Sequence, residues 1–158
     1  MILINKEIKL SISIDETLLN NLTEIGKKHY PNEFGGFLIG YYSDDLKRLN
    51  ITDTILPTQY KASKYLFERN TTGIKDILEN YYEQIPKNYY VGEWHTHPDN
   101  SPIPSSTDIK AINEILKHKD TSIQNPILLI IGYNNHSVEY GFYVPFKNKL
   151  YKYETAKN

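Results

Sequence analysis

Two histidines and one aspartate in this sequence have the types and spacing to hold a metal ion. His95 and His97 stand two residues apart in Gly92-Glu93-Trp94-His95-Thr96-His97-Pro98. That segment reads as the end of a strand. Strand side chains alternate, so both imidazoles point to one face. A loop carrying Pro98, Pro102 and Pro104 then returns the chain to Ser105 and Asp108. Asp108 falls in the first turn of a predicted helix, where the helix dipole favours an ionised carboxylate. Two imidazole nitrogens and one carboxylate, with a fourth position left to water, make the open donor set of a catalytic zinc rather than a closed structural site.

Plainer readings exist for each residue. A lone histidine is usually a surface or core residue, and His29, His118 and His136 read that way. Ser105-x-x-Asp108 ahead of an apolar run is also a capping-box variant, which needs no catalytic duty. A capping residue can still face a site. Glu33 would be an ordinary solvated glutamate but for Gly35-Gly36, which permit close backbone approach at a strand start. Glu93 shares the face of His95 and His97 by alternation, so it is a rival acid–base group. It reads as a salt-bridge residue or one that orients a ligand. Trp94 points the other way, into the core. Thr96 shares that opposite face and touches the site at most from behind.

The elements that must position these residues follow from periodicity. Residues 8–14 alternate, with Ile8, Leu10, Ile12 and Ile14 on one face, as a strand does. Leu18, Leu22 and Ile25 give residues 16–29 helical spacing, and Pro31 ends the helix. Residues 35–42 and 48–56 flank Ser43-Asp44-Asp45 as a hairpin. A short strand is expected at 65–68. Residues 72–85 carry an apolar stripe of Ile74, Ile77, Leu78, Tyr81, Tyr82 and Ile85, which predicts a helix. A strand at 89–95 leads to the histidines. Residues 106–118 are a predicted helix with Ile109, Ile112 and Leu116 inward. The wholly apolar run 126–132 reads as a central strand. Strands at 137–145 and 149–154 close the fold. Hairpins mixed with crossover helices predict an α/β or α+β domain, a mixed sheet with helices packed on it.

Composition narrows the chemistry. The chain has 158 residues, the size of one domain, and the expectation is a single domain over 1–158. It has no cysteine, which excludes disulfides, thiolate-bound zinc and a cysteine nucleophile. Peptidase chemistry would then rest on serine, a carboxylate or a metal. With 18 basic and 19 acidic residues, there is no electrostatic footprint for nucleic acid or anionic lipid. Met1 to Glu7 lack the apolar core of a signal peptide, and no stretch approaches the ~20 apolar residues of a membrane span. A soluble cytoplasmic protein is expected. Fourteen tyrosines suit core edges and contact surfaces, since the ring is apolar and its tip polar.

The spacing His95-x-His97, seven residues, Ser105, two residues, Asp108 resembles the signature of the JAB1/MPN/Mov34 (JAMM) metalloproteases without a gap. Upstream, Glu33-Phe34-Gly35-Gly36-Phe37-Leu38-Ile39-Gly40 is similar to the E-x-x-G-x-L-x-G segment of that family. The likeness covers about residues 8–145, and Gly92-Glu93-Trp94-His95-Thr96-His97-Pro98 looks most like the prokaryotic JAB-domain branch. Some members of that branch accompany activation-like (E1) and conjugation-like (E2) proteins, including in anti-phage systems built around nucleotidyltransferases.

This resemblance implies a cytidine-deaminase-like MPN domain with a mixed sheet and one zinc held by His95, His97 and Asp108. It also implies Glu33 as general base and then acid, and Ser105 as donor to the developing oxyanion. The implied substrate is the C-terminal tail of a ubiquitin-like or carrier protein joined to a target. Only about 17 residues separate Asp108 from the next predicted strand, too few for the insertions of linkage-selective deubiquitinases. The frame suits removal of a modifier from its target. The tail would add as a strand to an exposed sheet edge. Close variants of this reading include a sulfur-carrier-protein peptidase. From other classes come an inactive MPN-type scaffold, which typically lacks ligand residues, and a nucleotide-directed metal hydrolase, for which no basic cluster or phosphate-cradling loop is present.

Overall fold

The computed structural model describes residues 1–117, 123 and 125–156. His118, the last residue of the predicted helix 106–118, lies outside that set. In chain order the elements are β1 (Ile2–Asn5), β2 (Leu10–Ile14), α1 (Glu16–Lys27), β3 (Gly35–Tyr42), β4 (Arg48–Ile55), β5 (Tyr60–Ser63) and β6 (Leu66–Arg69). They continue with α2 (Ile74–Tyr82), β7 (Tyr89–Pro98), α3 (Ser106–Lys117), β8 (Ile127–Tyr133), β9 (Val138–Phe146), β10 (Lys149–Lys152) and β11 (Glu154–Thr155).

Nine strands form one mixed sheet in the order β10-β9-β8-β7-β3-β4-β2-β1-β11. The β2–β4 and β7–β8 pairs are parallel and the others antiparallel. The expected α+β architecture is what the chain adopts. The parallel β7–β8 pair needs a crossover, which α3 supplies. Strand β8 is buried along its whole length, as its unbroken apolar run requires.

The sheet curls until its two ends meet along one segment. Strand β10 pairs with β9 at one end and β11 with β1 at the other, and only Tyr153 separates them. Tyr153 is buried, and its N–H donates to the Phe142 carbonyl at 2.9 Å. The Asn5 side-chain amide donates to the Lys152 carbonyl at 2.8 Å. Residues 149–155 thereby supply both edge strands of the sheet, and both are short. Strands β1 and β11 escape sequence reading because Ile2–Asn5 and Glu154–Thr155 are too short to show a period. Among the described residues no helix is long and apolar enough to cross a membrane.

Helix α1 packs on one face of the sheet. Asp15 caps it by accepting from the Thr17 N–H at 2.7 Å. Leu19 and Leu22 enter the main core with Trp94, Leu129 and Phe142. Helices α2 and α3 lie on the other face. Ile74 packs with Phe37, Ile39 and Ile55, and Ile112 with Leu128 and Ile130. The alternation along β8, Leu129 to one cluster and Leu128 and Ile130 to another, fixes the two faces.

The predicted stripe of α2 is only partly used. Ile74 is buried, and Leu78 and Tyr81 are partly so. Tyr82 is 53% exposed and Ile85 99% exposed. The helix stops at Tyr82, short of the predicted 85. Ile85 precedes Pro86, whose ring disfavours helical backbone at the residue before it. Likewise α3 buries Ile112, while Ile109 and Leu116 are only partly covered, 39% and 37% exposed. Each helix lies on a sheet face through a narrow line of contact, so the flanks of its apolar stripe face outward.

Candidate metal centre

Strand β7 carries the two histidines, and a glycine sets their facing. Gly92 has φ +153° and a Cβ there would lie 2.1 Å from the Ile127 carbonyl oxygen, so only glycine fits. The β3–β7 register shifts between Leu38 and Ile39, opposite this point, which marks a bulge. Past it the strand alternates regularly. Glu93, His95 and His97 take one face, with His95 and His97 only 5% and 7% exposed. Trp94 and Thr96 take the other and are fully buried. Gly35 pairs with His95. A Cβ on Gly35 would stand 1.9 Å from the Trp94 carbonyl oxygen, so its absence lets β3 draw Glu33 against the histidines.

The donor atoms converge. His95 Nε2 and His97 Nε2 are 3.1 Å apart. Asp108 Oδ1 is 3.2 Å from His95 Nε2, and Asp108 Oδ2 is 3.5 Å from His97 Nε2. A tetrahedral ion with bonds of about 2.0–2.1 Å has ligand–ligand edges of about 3.3 Å. The three separations lie near that edge, with Asp108 offering Oδ1 toward His95 and Oδ2 toward His97, so the residues present fit a tetrahedral cation. His97 Nδ1 donates to the Ser101 carbonyl at 3.0 Å. That bond sets the tautomer and leaves Nε2 with its lone pair free for a metal.

A second carboxylate flanks the pair. Glu33 Oε1 lies 3.9 Å from His97 Nε2, and Glu33, His95 and His97 together form a cluster able to hold an ion, with donor atoms within 4.8 Å of one another. Two carboxylates therefore compete for the third place beside the histidines. The Asp108 distances equal a ligand edge and the Glu33 distance exceeds it, which suits a group standing one water further out.

The two carboxyls are tuned in opposite directions. Burial raises the Glu33 carboxyl to about 7, with His97 opposing and Asp108 adding to the rise. Burial also works to raise Asp108, but hydrogen bonds with His95 and His97 outweigh it and hold the carboxyl well below the usual range. Burial keeps His95 below its ordinary value despite Asp108. One carboxylate is thus a fixed anion beside the histidines, and the other can take and give a proton near neutral pH.

Ser105 and Asp108 form a capping box at the start of α3. The Ser105 N–H donates to Asp108 Oδ2 at 2.7 Å, and the Asp108 N–H donates to Ser105 Oγ at 3.2 Å. The plain reading of these residues is therefore real, and both still line the site. A cavity of about 40 Å³ is bordered by Glu33, His95, Ser105 and Asp108, room for a few waters. Ser105 Oγ acts as an acceptor in the cap, so its own proton stays available to donate.

Sequence reasoning left Arg69 out. It ends β6, lines the same cavity and pairs with Glu93. Burial lowers its pKa to about 10, against the opposing charges of Tyr90 and Asp108. Its guanidinium lies 5.7 Å from the Phe37 ring centre and 5.8 Å from that of Phe67. Glu93 is thus occupied by an ion pair, as its salt-bridge reading held. Nothing in Arg69-Asn70-Thr71 signals the placement, which depends on the β5–β6 hairpin folding over the site. The strand expected at 65–68 is β6, and its partner β5 has too mixed a pattern to be seen.

The profile of a family described as prokaryotic homologs of the JAB domain matches residues 15–143. A protein of Enterobacter hormaechei named CD-NTase/cGAS isopeptidase is 33% identical over 123 residues, covering 77% of this chain and 67% of its own length. One of the same name from Pseudomonas aeruginosa is 33% identical over 109 residues, 68% of this chain and 67% of its own. A probable metalloprotease of Sinorhizobium fredii is 22% identical over 124 residues, covering 76% and 74%. In fold, the chain resembles the solution structure of a Desulfitobacterium hafniense protein, with a TM-score of 0.64 and 15% identity over 89% of this chain and 88% of that one.

Proposed function

Since this chain belongs to the family of prokaryotic homologs of the JAB domain, we propose that it is a zinc-dependent isopeptidase or peptidase. It would cleave the amide bond after the C-terminal tail of a ubiquitin-like or carrier protein. The carrying observation is the convergence of His95 Nε2, His97 Nε2 and the Asp108 carboxylate, whose Oδ1 faces His95 and whose Oδ2 faces His97, at separations of 3.1, 3.2 and 3.5 Å. The proposed enzyme is one JAB domain spanning residues 1–158, acting in the cytoplasm.

His95, His97 and Asp108 would hold zinc, and Glu33 and Ser105 would act on the reacting atoms. When bound, zinc supplies Lewis acidity toward the scissile carbonyl and lowers the pKa of a water to about 7. Glu33 would take the proton of the attacking water as its oxygen bonds to the carbonyl carbon, and would give it to the departing amine as the C–N bond breaks. Burial works to raise its carboxyl, which favours its holding the proton between the two transfers. The Ser105 hydroxyl donates to the carbonyl oxygen as charge develops there.

The substrate tail is proposed to add to β6. The edges of the nine-stranded sheet are the short strands β10 and β11, and neither lines the site cavity, so the strand-addition route expected from sequence is assigned to the separate β5–β6 hairpin. Among the described residues β6 pairs on one side alone, and Leu66, Phe67 and Arg69 line the cavity. A complex with the tail bound away from β6 would overturn this route.

The relatives named CD-NTase/cGAS isopeptidase point to a nucleotidyltransferase conjugate as substrate and to work in anti-phage defence. E1- and E2-like proteins are the proposed companions. The test is elemental analysis of purified protein together with cleavage of such a conjugate. One zinc per chain and release of the nucleotidyltransferase support the reading. Failure to take up zinc would leave an inactive scaffold as the better description.

A further inference from the structure

Thr96 stands between the two histidines, yet its side chain serves the opposite face of β7. It is fully buried. Its hydroxyl engages both backbone polar groups of Phe34. It accepts from the Phe34 N–H at 3.0 Å and donates to the Phe34 carbonyl at 3.3 Å. The Thr96 N–H donates to the same carbonyl at 2.8 Å. Phe34 directly follows Glu33, and the Glu33 N–H on its other side donates to the Ser63 carbonyl at 2.8 Å.

Phe34 precedes β3, so its N–H has no ladder partner. Without the Thr96 hydroxyl, a buried donor would be left unpaired. The Phe34 ring is buried and stacks on His29 with centres 3.6 Å apart. The backbone that carries Glu33 is therefore held from the strand that carries His95 and His97 by the Thr96 hydroxyl together with the Thr96 N–H.

We propose that Thr96 is a positioning residue: by clamping Phe34 it fixes the Glu33 carboxylate against the two histidines. This rests on the reading of Glu33 as the proton-transferring group. The two halves of the threonine have separate duties. Its methyl packs where a Cβ on Gly26 would come within 2.2 Å, which holds α1 against β7. Its hydroxyl makes the clamp. Valine keeps the shape and loses the clamp, and serine does the reverse.

The test compares Thr96→Val and Thr96→Ser in the zinc-loaded full chain. Thr96→Val should lower kcat by about tenfold to a hundredfold, the usual consequence of a group misplaced by about 1 Å, with KM and zinc content unchanged. Thr96→Ser should recover most of the rate. A Thr96→Val enzyme with wild-type kcat, or Thr96→Ser as slow as Thr96→Val, overturns the proposal. If Thr96→Val does not fold, Gly26→Ala takes its place. It presses on the Thr96 methyl and should slow cleavage, and adding Thr96→Ser should restore it. No restoration overturns the clamp. A wild-type chain that cleaves nothing would refute the functional reading alone. The crystal structure of Thr96→Val then decides the clamp. Glu33 Oε1 displaced from its 3.9 Å distance to His97 supports it, and an unmoved carboxylate overturns it.

Discussion

Ser105 and Asp108 exchange backbone-to-side-chain hydrogen bonds across the first turn of α3, at 2.7 and 3.2 Å. One motif thus starts the helix and aims Asp108 at the histidines. The cap occupies Ser105 Oγ as an acceptor and Asp108 Oδ2. Asp108 Oδ1 remains beside His95. Capping and metal holding do not compete, because they use different atoms or different lone pairs.

Ser105→Ala should therefore fail twice. Loss of the cap costs about 1 kcal/mol of stability, and loss of the hydroxyl donor slows cleavage by about 100- to 1,000-fold. Ser105→Thr keeps the oxygen and its proton and should restore both. Thermal unfolding and steady-state kinetics read the two effects separately. An alanine variant with reduced Tm and undiminished kcat would confine Ser105 to the cap.

Asp108→Ala and Glu33→Ala decide which carboxylate completes the metal site. Asp108→Ala should lose zinc and activity together, since the variant removes one of the three ligand residues. Glu33→Ala should keep one zinc per chain and lose cleavage. Elemental analysis after dialysis against a weak chelator measures both. The reverse pattern would make Glu33 the third ligand and leave Asp108 a helix cap.

Metal-free protein should become less stable as pH rises from about 4.5 to about 7, through Glu33. Its folded carboxyl titrates at about 7 because of burial, above the unfolded value near 4.5. The folded state binds the extra proton between those values. The stabilisation is then complete below the unfolded pKa and is lost as pH rises through the folded one. Glu33→Gln removes the ionisation. Its Tm should match the wild type near pH 4 and exceed it near pH 8, both in chelator. Equal differences at the two pH values would show that Glu33 is not the titrating group.

The site was legible because its chemistry lies in short local spacings. His95-x-His97 on a strand and Ser105-x-x-Asp108 at a helix start specify their own geometry, and Glu33 was read by likeness to a known motif. The structure brings the three segments to one place through the β3–β7 pairing and the α3 crossover. What sequence did not reveal is long-range. Arg69 reaches the cavity only because a hairpin of two four-residue strands folds over it. Tyr153 joins the two ends of the sheet from a segment with no period to read. Thr96 was assigned to the far face correctly, yet its grip on Phe34 depends on a partner 62 residues away. The stripes of α2 and α3 overstated burial, because periodicity tells which side faces the sheet and not how wide the contact is.

Glu93 supplies the last discrimination. It shares the face of the histidines and was the rival base, but it is paired with Arg69, whose Nε has no hydrogen-bond partner among the described residues. Removing the carboxylate would strand a buried guanidinium, which typically costs about 3–5 kcal/mol. Glu93→Ala should thus be strongly destabilised. The double variant Glu93→Leu with Arg69→Met should recover most of that loss, because replacing both partners leaves no unpaired charge. Thermal unfolding with chelator present reads this independently of the metal. A Glu93→Ala chain that keeps its Tm and its zinc but no longer cleaves would assign proton transfer to Glu93, with Glu33 reduced to shaping the cavity.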